Sequence, residues 1–281
     1  MAIYDEWGGL VFGHNGTTEQ FPLVASPGIH AFATDGNTLS GGFDGVAQSA
    51  RWATAKRFTT VVGVRGTSAA TYRANRAAYL AATASTEVGE YVVHDDTDTY
   101  TYFARVVDRD MPRDAEGEVF HNVEASITYE VLDGKCYGPN ATLTFSGTSD
   151  SEAITSDGWV ASERWVWTVP GPVTNPQIST SLHTGATVRY AGTVADGYTL
   201  VVELLPRGSA PGYYAKIVTD ANVATYRTAS GSNAYGDLDA GASYSGQPPG
   251  WFAIEPGAQT ISYAATSGTL GSTFVYREAF A

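Results

Sequence analysis

The residues best suited to metal chemistry lie in one short segment, His94-Asp95-Asp96-Thr97-Asp98. Closely spaced carboxylates are the ligands that calcium prefers in proteins. The segment lacks the glycine and the distal glutamate of an EF-hand loop, and it falls between two strand-like runs at 91–93 and 100–106. We interpret it as the polar tip of a hairpin, with calcium binding as the alternative.

Other motifs for catalysis or cofactor binding are missing from the sequence. The five histidines form no HExxH or HxH pair, so no metal site is predicted from them. They are His14, His30, His94, His121 and His183. There is no GxSxG elbow, no phosphate-binding loop with its lysine and no GxGxxG. We therefore predict no catalytic residue and no cofactor. Triads and carboxylate pairs are assembled in three dimensions, so a glycosidase or peptidase stays open as an alternative.

Aromatic residues of the second half suggest a different chemistry. They occur in or beside loops rich in Gly, Ser and Pro, where a ring face can stack on a sugar. The candidate glycan contacts are Tyr213, Tyr214, Tyr235, Tyr244 and Trp251. The alternative is that several of these rings close the ends of a β-sandwich core.

The elements that must position these residues are mostly strands. Residues 123–131 alternate apolar Val123, Ala125 and Ile127 with polar neighbours, which predicts a strand with one buried and one wet face. Similar alternation occurs at 100–106, 165–169, 261–265 and 274–276, while 198–205 is apolar enough for a strand buried on both faces. Frequent turn signals between these runs favour antiparallel sandwiches.

One segment predicts a helix instead. Residues 69–84 are rich in alanine, contain no Gly or Pro, and follow Ser68, a suitable N-cap. Tyr72, Tyr79 and Leu80 share one side of this helix. We expect that side to cover a sheet.

Composition and charge exclude several classes of protein. Only 16% of the 281 residues are charged, against about a quarter in an average domain, and the net charge is −13. This charge opposes nucleic-acid binding and docking on an anionic membrane. The single cysteine, Cys136, precludes an intramolecular disulfide. The acidic start and the absence of a long apolar stretch predict synthesis in a cytoplasm, without a signal peptide or membrane span.

The sequence predicts two domains, residues 1–138 and 139–281, divided near the turn-rich residues 135–140. The first contains the predicted helix, and the second is predicted to be purely β. The first has 10 basic and 18 acidic residues, a net charge of −8, and the second has 6 and 11, a net charge of −5. Both halves are therefore acidic.

Several runs resemble the distal tail proteins, or minor tail proteins, of long-tailed, non-contractile bacteriophages. The similar segments are Trp165-Val166-Trp167-Thr168-Val169-Pro170-Gly171-Pro172-Val173-Thr174-Asn175-Pro176-Gln177-Ile178, Asp196-Gly197-Tyr198-Thr199-Leu200-Val201-Val202-Glu203 and Phe252-Ala253-Ile254-Glu255-Pro256-Gly257-Ala258-Gln259-Thr260-Ile261. In the first half, strand 123–131 and the following Leu132-Asp133-Gly134-Lys135-Cys136-Tyr137-Gly138 are similar to the end of that family's first domain. The sequence departs from the family pattern at Gly134, Gly197, Glu203 and Gln259.

The resemblance implies a mainly β protein with two antiparallel β-sandwich domains. The first would form a ring, and the second would resemble galectins or carbohydrate-binding modules. The implied function is a structural one in the virion, as a hexameric ring at the distal end of the tail that joins the tail tube to the baseplate or tail-tip hub and lets DNA pass. Its partners would be copies of itself, the tail tube protein, the hub or tail-associated protein and receptor-binding proteins. Such a protein would be assembled in the cytoplasm of the host bacterium and would have no catalytic residues.

A carbohydrate-binding or receptor-recognition module is the main alternative, based on the aromatic loops of residues 213–251. The acidic charge is compatible with the ring, because an acidic channel wall would not trap phosphates.

Overall fold

The computed structural model describes residues 3–13, 21, 23–25, 56–95, 98–112, 119–131, 133–183, 185–204, 213–240, 251–268 and 271–280. The chain forms two compact units, Met1–Gly138 and Pro139–Ala281.

The first unit is built on one antiparallel sheet with the strand order β3-β4-β7-β6-β5-β1-β2. Its strands are β1 (Ile3–Trp7), β2 (Leu10–Gly13), β3 (Leu23–Ala25), β4 (Lys56–Arg65), β5 (Gly89–Asp95), β6 (Asp98–Asp110) and β7 (Asn122–Val131). The long strand β6 pairs with β5 along its first half and with β7 along its second half, and its register with β7 shifts between Val106 and Asp108. A shift of this kind is typical of a β-bulge, which bends the strand and increases its local twist.

The predicted alternation in β7 is confirmed. Its apolar residues are all buried, namely Val123, Ala125, Ile127, Tyr129 and Val131. On the opposite face Glu124 is exposed, as predicted for a wet face. Glu130 was also predicted to be wet, but it is 7% exposed because Arg57 and Arg105 bind it from the neighbouring strands.

Helix α1 (Ala69–Ala82) confirms the predicted helix, which ends two residues earlier than expected. The hydroxyl of Ser68 accepts a hydrogen bond from the backbone N–H of Thr71 (3.2 Å), which caps the first turn. At the other end, the backbone N–H and the hydroxyl of Thr83 both donate to the carbonyl of Tyr79. The buried Tyr79 hydroxyl donates to the carbonyl of Ser126 on β7 (3.1 Å), so the helix covers the sheet as predicted.

Aromatic rings from different strands meet in the core of the first unit. The ring of Tyr129 on β7 lies 4.7 Å from that of Tyr91 on β5, 5.1 Å from that of Phe58 on β4 and 5.0 Å from that of Trp7 on β1. The indole N–H of Trp7 donates to the carbonyl of Ala82 at the end of α1 (3.1 Å). Both halves of the sheet and the helix therefore share one core.

The strands of the second unit are shorter and more numerous. They are β8 (Cys136–Phe145), which contains the boundary between the units, β9 (Ser149–Ser156), β10 (Trp165–Pro170), β11 (Val173–Thr174), β12 (Gln177–Thr180), β13 (Thr187–Tyr190), β14 (Thr193–Val194), β15 (Tyr198–Leu204), β16 (Tyr213–Thr219), β17 (Ser232–Asn233), β18 (Leu238–Ala240), β19 (Gly257–Ala264), β20 (Ser267–Gly268) and β21 (Ser272–Phe280). Two short 3-10 helices occupy Asp220–Thr225 and Tyr235–Asp237.

Two sheets of the second unit enclose a common apolar core. The first sheet has the order β17-β16-β15-β10-β21-β8 and the second the order β18-β13-β12-β19-β9, with a small third sheet β14-β11-β20. Trp167 of the first sheet contacts Tyr263 of the second, with ring centroids 6.3 Å apart. The indole N–H groups of Trp165 and Trp167 donate to the carbonyl of Phe252 (2.9 Å) and the hydroxyl of Ser272 (3.1 Å), so both buried indoles are satisfied.

The fold class is as predicted: a mainly β chain of antiparallel sheets, with helix α1 in the first unit. The prediction that the second unit is purely β is wrong in detail, because two short 3-10 helices follow β16 and β17. None of the described helices has the length and apolar character needed to cross a membrane.

Candidate interaction site

A polar cluster lies on the outer face of the first sheet of the second unit. Strand β15 directs Leu200, Val202 and Leu204 into the core, as the two-residue period requires. Glu203 points to the opposite face, yet it is only 1% exposed. The predicted strand buried on both faces is thus confirmed, and the residues that follow β16 cover its outer face.

Among the described residues, three side chains bind the carboxylate of Glu203. The guanidinium of Arg227 donates to both oxygens, with Nε 3.1 Å from Oε2 and Nη2 in contact with Oε1. Nη1 of Arg164 lies 3.4 Å from Oε1, and the hydroxyl of Tyr226 donates to Oε2. A buried charge is tolerated only when it is paired and hydrogen-bonded, and this arrangement meets both conditions.

The protonation states of the cluster follow from its burial. Loss of solvent raises the pKa of the Tyr226 hydroxyl, and the neighbouring charge of Glu203 raises it further. Hydrogen bonds to Glu203 raise the pKa of the Arg227 guanidinium. Tyr226 is therefore a neutral donor and Arg227 a permanent cation at any physiological pH.

Lys216 ties the covering segment to strand β16. Its ammonium donates to the carbonyls of Tyr226 (3.3 Å) and Ala229, and it lies 5.9 Å from the ring centroid of Tyr214. The rings of Tyr214 and Tyr226 are 5.8 Å apart. The cluster therefore joins two tyrosine rings and three cations around one acid.

The residues predicted to contact glycans are not all in one place. Tyr214 is half-buried inside the cluster, and Tyr235 is 37% exposed. Trp251 is 3% exposed, and its ring stacks on that of Trp165 at 5.4 Å, so it belongs to the core and offers no free face to a sugar. Tyr244 and the side chain of Tyr213 lie outside the described residues.

Sequence reasoning missed the roles of Glu203, Tyr226 and Arg227. One signal was present, since an acid within a strand buried on both faces must find a cation or be neutralised. The sequence did not identify the cation, because Arg227 is 24 positions away in a segment that resembles an ordinary turn.

The predicted acidic hairpin tip joins β5 to β6, in agreement with the interpretation of 94–98 as a turn. Asp96 and Thr97 lie outside the described residues, so calcium binding there stays a prediction. His94 stacks on Tyr4 at 4.1 Å, with Nε2 3.4 Å from Oε1 of Glu6. Among the described residues, no three His, Cys, Asp or Glu side chains are grouped for a metal ion.

A second surface feature is a shallow polar depression on the outer face of the second sheet. Its volume is about 470 Å³. Its lining residues include Ser149, Ser151, Gln177, Ser179 and Ser262, which supply hydroxyl and amide groups.

The fold and the cluster together define a two-unit, mainly β protein whose polar site lies on the face of a sandwich. The Dit protein of phage SPP1, described as a paradigm of the hub adsorption apparatus in phages that infect Gram-positive bacteria, has a similar fold over 100% of both chains (TM-score 0.53, 13% identity). A chain of the phage P2 baseplate, in its activated conformation with Ca, aligns over 99% of this chain and 98% of its own (TM-score 0.57, 9% identity). The corresponding structure with Sr gives a TM-score of 0.54 at 9% identity, with the same coverage. No family model and no curated protein matches the sequence. At these identities the likeness is one of fold.

Proposed function

We propose that this protein is a structural component of a bacteriophage tail tip. In this proposal it forms a ring, with six copies as the expected number, at the distal end of the tail tube. The ring joins the tube to the baseplate or tail-tip hub and lets DNA pass. The single observation that carries the proposal is the fold likeness to the SPP1 Dit protein over the full length of both chains.

The two units would divide this work. The first unit would make the ring contacts, while the second would project outward as a galectin-like domain that carries or braces receptor-binding components. The net charge of −13 supports a channel role, since acidic walls repel the phosphates of passing DNA. A ring of identical subunits requires a head-to-tail interface that closes on itself.

The test combines sizing with imaging. Light scattering of the purified protein should give the mass of a closed oligomer, and negative-stain images should show rings of six-fold symmetry. Antibody labelling of phage particles should place the protein at the end of the tail tube. A chain that stays monomeric at high concentration and is absent from particles would refute the proposal.

A further inference from the structure

Basic residues of the second unit are concentrated at the Glu203 cluster. Residues 139–281 contain six Lys and Arg residues. Arg164 and Arg227 contact the carboxylate of Glu203, and Lys216 binds carbonyls of the segment that covers it. The formal charge of these four side chains is +2, on a chain whose net charge is −13. Because Asp220 and Asp237 lie on the same stretch of chain, the attraction for an anion comes from the individual cations and not from a net positive patch.

Arg227 is held in one orientation but still faces solvent. Its Nε and Nη2 atoms bind Glu203, and 54% of its side chain is exposed. A guanidinium has five N–H donors, so the two groups on Nη1 and the second group on Nη2 are not needed for the contact with Glu203. A pre-oriented guanidinium is suited to a planar carboxylate, which accepts two parallel hydrogen bonds.

Tyrosine rings lie beside this guanidinium. Tyr226 precedes Arg227, whose Cζ atom is 5.9 Å from the Tyr226 ring centroid, and Tyr214 packs against Tyr226. Strand β17 places Asn233 opposite Lys216, and the next residue, Ala234, donates its backbone N–H to the carbonyl of Ala215 (3.1 Å). The exposed Tyr235 follows at the first position of the second 3-10 helix, and its backbone N–H donates to Oδ1 of Asn233 (3.0 Å).

We infer that Arg227, Tyr214, Tyr226 and Tyr235 form a binding site for an acidic saccharide, hereafter the Arg227 site. Arg227 binds the carboxylate of a uronic acid, and the tyrosines contact the faces and hydroxyls of the sugar rings. This ligand-binding activity goes beyond the proposed structural role and does not depend on it.

An acidic peptide is less well suited to this surface. Extended peptides commonly bind by adding a strand to an exposed sheet edge. The edge strand here, β17, has only two residues, Ser232 and Asn233. Sugar rings need no such edge, and aromatic side chains with nearby hydroxyl and amide groups are sufficient for them.

Isothermal titration calorimetry on the full chain tests the site, with trigalacturonate as the acidic probe. Neutral galactotriose and a triglutamate peptide serve as comparison probes. We expect trigalacturonate to bind, with an affinity that falls as NaCl increases. Arg227→Gln should weaken binding at least about tenfold, the value of one charge-assisted hydrogen bond. The matched control is Arg189→Gln, which removes an exposed arginine paired with Asp239 on the other sheet and should leave the affinity unchanged.

A second variant distinguishes the loss of a ligand contact from a local rearrangement around Glu203, which Arg227→Gln alone would not separate. Tyr235→Ala removes an exposed ring and should weaken trigalacturonate binding severalfold without changing the melting temperature. The inference is wrong if trigalacturonate does not bind, if galactotriose binds equally well, or if Arg189→Gln has the same effect as Arg227→Gln. Equal binding of triglutamate would assign the surface to an acidic protein partner instead. If the protein forms oligomeric rings but does not bind trigalacturonate, only the Arg227 site is wrong. If it binds trigalacturonate but forms no oligomeric rings, only the proposed structural role is wrong.

Discussion

Arg105 and Glu130 lie directly opposite each other on β6 and β7, with Nη2 of Arg105 2.6 Å from Oε2 of Glu130. On the other side of the same acid, Nη2 of Arg57 on β4 lies 2.9 Å from Oε1. One carboxylate thus connects three neighbouring strands through their side chains. Charge pairs across strands stabilise a sheet in addition to its backbone ladder.

Glu130→Gln should destabilise the first unit at neutral pH by about 1–2 kcal/mol, because it removes the charge that both guanidiniums bind. Hydrogen bonds from Arg105 and Arg57 lower the pKa of Glu130 below its ordinary value. Its contribution to stability is therefore present above the ordinary glutamate pKa and is lost as the pH falls through the lowered one. Urea denaturation at pH 7 and at acidic pH should show a difference between the variant and the wild type that shrinks in acid.

The control for this experiment is Glu124→Gln on the same strand, where the side chain is exposed. It should change the denaturation midpoint little at either pH. An equal loss of stability in both variants would indicate a general charge effect, and the bridging role of Glu130 would be wrong.

Gly271 is a position where any side chain would collide with the backbone. A Cβ atom built there would lie 1.5 Å from the carbonyl oxygen of Phe145. Gly271→Ala should therefore shift strands β8 and β21 apart and lower the free energy of unfolding by about 1–3 kcal/mol. Thermal denaturation should show a lower melting temperature than for Gly236→Ala, since a Cβ atom at Gly236 meets nothing within 4 Å. Equal melting temperatures would contradict the predicted collision.

Trp165 should contribute strongly to the stability of the second unit. Its ring is 1% exposed, contacts Trp251, Phe252 and Phe274, and donates its N–H to a buried carbonyl. Trp165→Phe should cost about 1–3 kcal/mol, because it leaves a cavity and an unsatisfied carbonyl. Trp159→Phe, at a residue 58% exposed, should change stability by less than about 0.5 kcal/mol. Chemical denaturation of both variants measures the two changes in the free energy of unfolding. Equal losses of stability would contradict the role of Trp165 in packing the core.

Strand β9 is the last strand in the described order of the second sheet, and it carries an acid on its core-facing side. Glu152 is half-buried and pairs in register with Ile261, a core residue. An inward-pointing charge at an edge opposes the addition of another strand. Glu152→Thr should therefore increase self-association, measured by light scattering at rising concentration. The matched control is Ser151→Thr on the outer side of the same strand. If the Glu152 variant associates no more than this control, the acid does not protect the edge.

The elements with local signals were predictable from the sequence. A two-residue period needs only neighbouring residues, so strand β7 was readily identified. Helix α1 was equally clear, because alanines and the Ser68 cap act within one or two turns. The residue at which the helix ends was not predicted, because it depends on Thr83, whose hydroxyl donates to the carbonyl of Tyr79.

The environments of the acids and of the loop aromatics were not predictable, because they depend on partners distant in sequence. Glu130 is 73 positions from Arg57. Trp251 follows a run of sequence rich in Gly, Ser and Pro, but its ring is held against Trp165 on β10. The sequence allowed Trp251 to be either an exposed platform or part of the sandwich core, and only the fold shows the core contact.

The stacking of Trp165 on Trp251 also has an optical consequence. Two indoles whose rings lie 5.4 Å apart at an interplanar angle of 24° couple their electronic transitions when they absorb light. This coupling exists only while β10 and the segment that contains Trp251 are packed together. The circular dichroism of the pair therefore gives the second unit a label-free signal of its own, by which its unfolding can be followed separately from that of the first unit.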